Sequence, residues 1–128
     1  RARYVRDLAN YIADKRITVE VCLTSNLQTC PDLTSIRDHS LGDMLDMHLS
    51  LCICTDNRLV SNTSVTKELE LAIEGFDIQP KQLKNVMIYG FKRSFFYKPY
   101  KEKRRYVRTI IDYYERLEKE FGIVTAAS

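Results

Sequence analysis

The chain has 128 residues, a net charge of +3 and 45% hydrophobic residues, which suits one domain with a modest core. Its sequence contains neither a run of roughly 20 apolar residues nor a signal-peptide pattern, so we expect a cytoplasmic protein without a membrane partner. The four cysteines form no C-x-x-C motif, and we interpret them as small buried side chains in a reducing compartment.

The first two predicted elements are an amphipathic helix and a strand. An apolar stripe at helical spacing predicts a helix from Tyr4 to Lys15. Alternation then predicts a strand from Ile17 to Thr24, with branched apolar side chains on one face and small or polar ones, including Glu20, on the other. The apolar stripe of the helix consists of Val5, Leu8, Ala9 and Ile12.

A helix and a second strand follow a loop rich in turn-forming residues, Ser25 to Asp32. Ser40 is a candidate N-cap for a helix from Leu41 to His48, and a second alternating run predicts a strand from Leu49 to Thr55. The order strand, helix, strand favours a parallel crossover unit. Asp56 would then lie at the carboxyl end of its strand, where parallel α/β folds bind ligands and metals.

The remainder of the chain is predicted to be helical after a polar loop, Arg58 to Thr63. Ser64 is a good N-cap for a helix from Val65 to Gly75, Pro80 can open a helix that runs to Phe95, and Pro99 breaks the chain before a long amphipathic helix that ends near Gly122. Two parallel strands do not make a stable sheet alone. Because the chain also starts in a helical pattern without Met, we expect it to be a piece of a longer protein.

Several stretches, in this order and at these separations, resemble the adenosine deaminase family of zinc amidohydrolases. The resemblance implies an α/β fold, the (β/α)8 TIM barrel. Residues 1–128 would form a single partial domain with the last two βα units and the C-terminal helices of that barrel. The stretches that carry the resemblance are Val19–Asn26, His39 with Leu45, Cys54–Arg58, Glu68 and Gly90–Phe95.

The resemblance also implies the roles of two neighbouring residues. Asp56 stands where the family has a catalytic carboxylate that ligates one zinc ion (Zn²⁺) and orients the attacking water. Asn57 stands where many members have a second Asp that binds the purine ring of the substrate, and its NH₂ group can still donate to a ring nitrogen. We interpret Ser25 as a loop-shaping residue and His39 as a structural one. The sequence departs from the family pattern at Ser40, where Pro is usual, and at Tyr89, where Asn is common.

The function implied is hydrolysis of adenosine or 2'-deoxyadenosine to inosine and ammonia, with adenine, AMP or a modified adenosine as alternative substrates. The family takes its other zinc ligands from histidines in contexts that neither His39 nor His48 has. Since a catalytic zinc site needs about three protein ligands, we expect this chain alone to bind zinc weakly and to be inactive. The expected partners are the missing N-terminal part of the barrel and a small-molecule purine nucleoside.

One segment favours a different class of protein. Residues 92–108 combine eight basic residues with interleaved aromatics, a composition that is found in nucleic-acid-binding surfaces. One hypothesis is that the chain is a non-catalytic fragment or a nucleic-acid-binding module that uses this segment. The other is that the segment is a solvated helix face. Because acidic residues follow at Glu115, Glu118 and Glu120, we favour the solvated face and expect no nucleic-acid partner.

We therefore predict that the chain does not bind labelled single-stranded DNA tightly when titrated at low and moderate salt. A solvated helix face gives weak binding, whereas neutralisation of several phosphates gives tight binding that falls steeply as salt rises. Tight, salt-sensitive binding in this titration would restore the binding-module hypothesis.

Overall fold

A computed structural model describes residues 2–123 of the chain, which form a helix-rich α/β structure. The chain makes two compact units that divide between Ile78 and Gln79. The elements of the first unit are α1 (Ala2–Asp14), β1 (Thr18–Val21), α2 (Leu23–Thr29), a 3-10 turn (Ile36–Asp38), α3 (Leu41–Asp46), β2 (Ser50–Ile53), α4 (Arg58–Ser61) and α5 (Val65–Phe76). Those of the second unit are α6 (Pro80–Arg93) and α7 (Tyr100–Glu120).

The two strands pair in parallel, as the sequence predicted. Thr18 lies opposite Ser50, and the register continues residue by residue to Val21 and Ile53. Because side chains alternate along a strand, matched faces of the two strands coincide. The Thr18 and Ser50 hydroxyls are hydrogen-bonded at 3.0 Å on the small, polar face. The pairing therefore confirms both the crossover and the expected division of the two faces.

The core of the first unit is small and is built around the apolar face of the sheet. Its most enclosed side chains come from β1, β2 and the helices that follow each strand, so the sheet and its helices share one apolar layer. Each of these side chains contributes roughly 1.5–3 kcal/mol by leaving water. The buried apolar residues of this unit are Val21, Leu23, Leu41, Leu51, Ala72 and Ile78.

Helix α1 has the predicted amphipathic pattern, but its apolar face is not buried. None of its residues, Ala2–Asp14, is buried within the described unit. Val5 is 59% exposed and Leu8 is 45% exposed, although both belong to the apolar stripe. An amphipathic helix normally places such a stripe against a core. The first unit therefore presents an apolar helix face without a covering layer from residues 2–78.

Two segments that the sequence analysis assigned to strand or loop are helices. The strand from Ile17 to Thr24 is wrong at its end, because β1 stops at Val21 and α2 begins at Leu23. The polar loop after Asp56 contains the short helix α4, which Asn57 caps. Leu23 is fully buried, and its burial in a helix against the core outweighs the alternating pattern that favoured a strand.

The helix starts at Ser40, Ser64 and Pro80 were predicted correctly, but Ser40 does not cap its helix through its side chain. The Ser64 side chain accepts a hydrogen bond from the Lys67 N–H, and Pro80 occupies the first position of α6. The side chain of Ser40 makes no capping hydrogen bond. The Leu41 N–H, at the first position of α3, donates to Nδ1 of His39. A neighbouring imidazole thus satisfies one of the free N–H groups at the start of this helix.

In the second unit, α6 and α7 pack against each other through an ion-pair cluster and an aromatic cluster. Lys84 Nζ lies 3.3 Å from a Glu115 oxygen and 2.9 Å from a Glu118 oxygen, and the hydrogen bond to Glu118 raises the pKa of Lys84. The Phe96 ring stacks on Tyr106 at 5.2 Å between centroids. Within residues 2–123, no helix has the length and apolar character needed to cross a membrane.

The two serines offer a matched test of capping. We predict that Ser64→Ala lowers the free energy of unfolding by about 1 kcal/mol, because the Lys67 N–H loses its acceptor. Ser40→Ala should change it by less than about 0.5 kcal/mol, as expected for a surface site without such a bond. Urea unfolding followed by far-UV circular dichroism measures both. Equal effects of the two substitutions would contradict this account of the helix starts.

Candidate functional site

Asp56 lies at the carboxyl edge of the sheet in an unusual backbone conformation. It follows β2 by three residues and is solvent-exposed. Its φ of 55° falls in the left-handed region, which residues other than glycine rarely adopt. Such backbone strain persists only where the surrounding structure holds it, and it concentrates at functional sites. The turn after β2 therefore holds a carboxylate in a constrained position at the ligand-binding edge of a parallel sheet.

Ser25 is the hydrogen-bond partner of this carboxylate. Its hydroxyl donates to Oδ2 of Asp56 at 2.8 Å, while Ser25 itself is only 9% exposed. Asp56 and Thr24–Ser25 thus meet at one edge of the sheet, as the parallel arrangement predicted. The interpretation of Ser25 as a loop-shaping residue was wrong, because it lies in α2 and orients Asp56. Its position just after β1 was the signal that could have identified it.

Asn57 uses one end of its side chain as a helix cap. Its Oδ1 accepts hydrogen bonds from the Leu59 and Val60 N–H groups, both at 3.1 Å. Capping fixes which end of the amide faces α4. The sequence predicted that the NH₂ group of Asn57 donates to a purine nitrogen. Because Oδ1 makes the capping bonds, the NH₂ group takes no part in them.

His39 is tied into the first unit through both ring nitrogens. Nδ1 accepts a hydrogen bond from the Leu41 N–H at 3.0 Å, so Nε2 carries the proton and donates to Oδ1 of Asn26, also at 3.0 Å. Burial lowers the pKa of His39 below its usual 6.5. These contacts match the structural role that the sequence suggested for this residue.

Glu68 is a residue whose contacts sequence reasoning missed. It belongs to α5 and is fully buried. Its carboxyl group accepts hydrogen bonds from the Thr24 N–H at 3.1 Å, from the Thr24 hydroxyl and from the Thr63 hydroxyl at 2.7 Å. The position of Glu68 among the family-like residues was a signal, but the sequence did not show what it contacts. The structure places it next to the segment that carries Ser25.

The described residues offer a single oxygen ligand at the sheet edge rather than a complete metal site. Within residues 2–123, Asp56 belongs to no group of three or more side chains that could share an ion. A different group, Glu20 with Cys52 and Cys54, has its ligand atoms within 4.8 Å of one another on the small face of the sheet. Burial raises the pKa of the Cys54 thiol to about 12 and also raises that of Cys52, which disfavours the thiolates that metals bind.

The basic segment of the second unit lines a groove of about 540 Å³, but several of its cations have local partners. Lys103 Nζ donates to the Ser94 carbonyl oxygen at 2.6 Å, and Arg108 pairs with Asp112 at 2.9 Å. The Arg108–Asp112 pair offsets one positive charge, although an exposed pair of this kind contributes little to stability. The local pairing agrees with a solvated helix face.

A parallel crossover unit with a carboxylate at its carboxyl edge is the arrangement of an α/β protein, a class that binds ligands at this edge. Residues 1–113 match the family model described as adenosine deaminase, so the chain belongs to the adenosine deaminase family, a family of hydrolases.

Three curated relatives agree with this assignment. The chain is 33% identical to adenosine deaminase 1 of Streptomyces coelicolor over 94% of its own length and 30% of that protein's. It is 32% identical to adenosine deaminase of Mycobacterium avium over 81% of the chain and 28% of the relative. It is 34% identical to adenosine deaminase of Aliivibrio fischeri over 69% of the chain and 26% of the relative. The chain therefore spans about three-tenths of the length of the relatives it matches.

The lowered pKa of His39 predicts a pH-dependent stability. Because the folded state binds the His39 proton less readily than the unfolded state, the stabilisation is complete above pH 6.5 and is lost as the pH falls through the lowered value. Urea unfolding at several pH values should show this loss in the native protein. The loss should disappear in His39→Gln and persist in the matched variant His48→Gln; persistence in both would contradict the assignment.

Proposed function

We propose that this chain forms the C-terminal part of a cytoplasmic, zinc-dependent purine deaminase that hydrolyses adenosine or 2'-deoxyadenosine to inosine and ammonia. In this proposal both units belong to one partial domain of a (β/α)8 barrel. The observation that carries it is the hydrogen bond from Ser25 to Asp56 at the carboxyl edge of a parallel pair, in a chain of the adenosine deaminase family. All four cysteines are free, which suits a reducing compartment.

The geometry of Asp56 suits a zinc ligand. Its carboxylate is exposed at the sheet edge, and the Ser25 hydroxyl occupies only part of its capacity to accept. Ligating carboxylates are commonly held by a second hydrogen bond of this kind, which fixes their orientation. A complete site needs about three protein ligands, and Asp56 supplies one. The others would come from the remainder of the barrel.

The reaction adds water to C6 of the purine and releases ammonia. Zinc, when bound, would act as a Lewis acid and lower the pKa of that water. Asp56 would hold the metal and accept a hydrogen bond from the attacking water, which orients it towards the ring. The Asn57 NH₂ group would donate to a ring nitrogen, while its Oδ1 keeps the loop in place by capping α4.

The exposed surfaces of the first unit support a larger barrel. A two-stranded sheet has two open edges, and α1 has no covering layer within residues 2–78. The strands and helices of the rest of the barrel would pair with these edges and cover this face. Because one ligand does not complete a zinc centre, we propose that the isolated chain is inactive and binds zinc weakly.

A second candidate is deamination of adenine, AMP or a modified adenosine on the same fold. Asn57 is the reason to consider these substrates. Many family members have an Asp at this position, and an amide, which cannot become a charged acceptor, can change the selectivity among purines. Comparison of kcat/KM for adenosine, adenine and AMP with one preparation of the intact protein distinguishes these substrates.

The decisive variants are Asp56→Asn and Asn57→Ala in the intact protein, with zinc measured by elemental analysis beside adenosine kinetics. Asp56→Asn keeps the shape but removes the charge, so we predict loss of zinc and a fall in rate on the order of 10³-fold or more. Asn57→Ala should retain zinc and lose at most about 3 kcal/mol of transition-state stabilisation, as for one hydrogen bond.

Asn57→Ser is the control for capping, because serine has an oxygen that can cap α4 but lacks the NH₂ donor of asparagine. It separates loss of the cap from loss of the substrate contact. Full zinc content and near-normal turnover in Asp56→Asn would show that the role assigned to Asp56 is wrong.

A further inference from the structure

The buried carboxyl group of Glu68 has a contact pattern that general stability does not explain. A carboxylate without exposure to water is strongly unfavourable unless hydrogen bonds replace its hydration. Glu68 is 0% exposed, and its donors are the neutral groups of Thr24 and Thr63. No ion pair involves it within the part of the chain that the structure describes. The hydrogen bonds that this carboxyl group accepts are therefore the feature to explain.

The first group that Glu68 holds is the start of α2. The opening N–H groups of a helix lack partners within the helix, and the residue before α2, Cys22, provides no side-chain cap. Oε2 of Glu68 accepts the Thr24 N–H in its place, from a position 44 residues away in the chain. Ser25 is the next residue, so this contact lies one residue away from the hydroxyl that donates to Asp56.

The second group that Glu68 holds is the segment that leads from Asp56 into α5. Thr63 lies between α4 and α5 and donates to Oε1 of Glu68. One buried carboxyl group therefore joins the segment that bears Ser25 to the segment that bears Asp56. These two segments are the ones that the 2.8 Å hydrogen bond must bring together.

We propose that Glu68 is a positioning residue for Asp56, which acts through the start of α2 and through Ser25. The inference rests on the proposed function of Asp56 for its catalytic consequence, but the coupling between Glu68 and Asp56 is a property of the fold alone. Residues that orient a metal ligand from one shell away typically change metal affinity or activity by about 10- to 100-fold.

The test compares Glu68→Gln with Glu70→Gln in the intact protein. Glu70 lies on the same helix and is exposed, so its variant is the matched control. In Glu68→Gln an NH₂ donor replaces one acceptor oxygen, so the side chain no longer accepts from the Thr24 N–H and from the two threonine hydroxyls at once. We expect kcat to fall about 10- to 100-fold with little change in KM and zinc to be lost more readily to a chelator, whereas Glu70→Gln should match the native protein.

Two further variants separate positioning from a loss of stability. Ala72→Gly destabilises α5 at a buried position whose side chain makes no hydrogen bond, and it should leave kcat and zinc retention of the folded protein unchanged. If Glu68 acts through Ser25, Glu68→Gln combined with Ser25→Ala should cost no more in kcat than the larger single effect. Additive losses, or a Glu68→Gln that behaves like Ala72→Gly, would overturn the inference.

A crystal structure of Glu68→Gln supplies a result that does not depend on activity. We expect the Ser25 hydroxyl to move beyond hydrogen-bonding distance of Asp56, from the 2.8 Å of the native arrangement, and to stay in place in Glu70→Gln. If the distance changes but the native protein neither binds zinc nor deaminates adenosine, the coupling holds and the proposed function is wrong. An unchanged distance in Glu68→Gln overturns the coupling itself.

Discussion

The parallel pairing of β1 with β2 is the constraint on which the candidate site depends. Parallel strands carry their carboxyl ends to the same edge of a sheet, so residues some thirty positions apart become neighbours. In this chain those residues are Ser25 and Asp56, joined by a hydrogen bond of 2.8 Å. An antiparallel pair would place them at opposite edges. The functional hypothesis for Asp56 therefore depends first on strand direction, which brings Ser25 and Asp56 together, and only then on the chemistry of their side chains.

The edge formed by this pairing is held by polar contacts from the next helix rather than by apolar packing. Glu68 accepts from Thr24 on one side and from Thr63 on the other, and both segments lead to Asp56. Hydrogen bonds are directional, whereas burial of apolar surface is not. A buried carboxyl group can therefore fix the position of the start of α2 relative to the segment before α5. The left-handed backbone at Asp56 is a further sign that the surroundings hold this turn.

The first unit has apolar and hydrogen-bonding surfaces that no element of residues 2–78 covers. Its buried apolar residues lie beside the sheet, while the apolar stripe of α1 is uncovered and both sheet edges are open within residues 2–78. A core of this size gives only marginal stability to so short a chain. These features, together with a match to about three-tenths of the length of the curated relatives, agree with the partial-barrel proposal.

The sequence by itself determined the elements whose signals are local. Helical spacing predicted α1 and α5, alternation predicted both strands, and Ser64 and Pro80 marked helix starts, because each signal comes from residues within one or two turns. Only the tertiary structure decided that α2 is a helix, since Leu23 is buried against the core and the acceptor for the Thr24 N–H is a side chain 44 residues away. The same holds for the contact between Ser25 and Asp56. No periodicity encodes which distant side chain supplies a hydrogen bond, because that depends on how the strands and helices pack together.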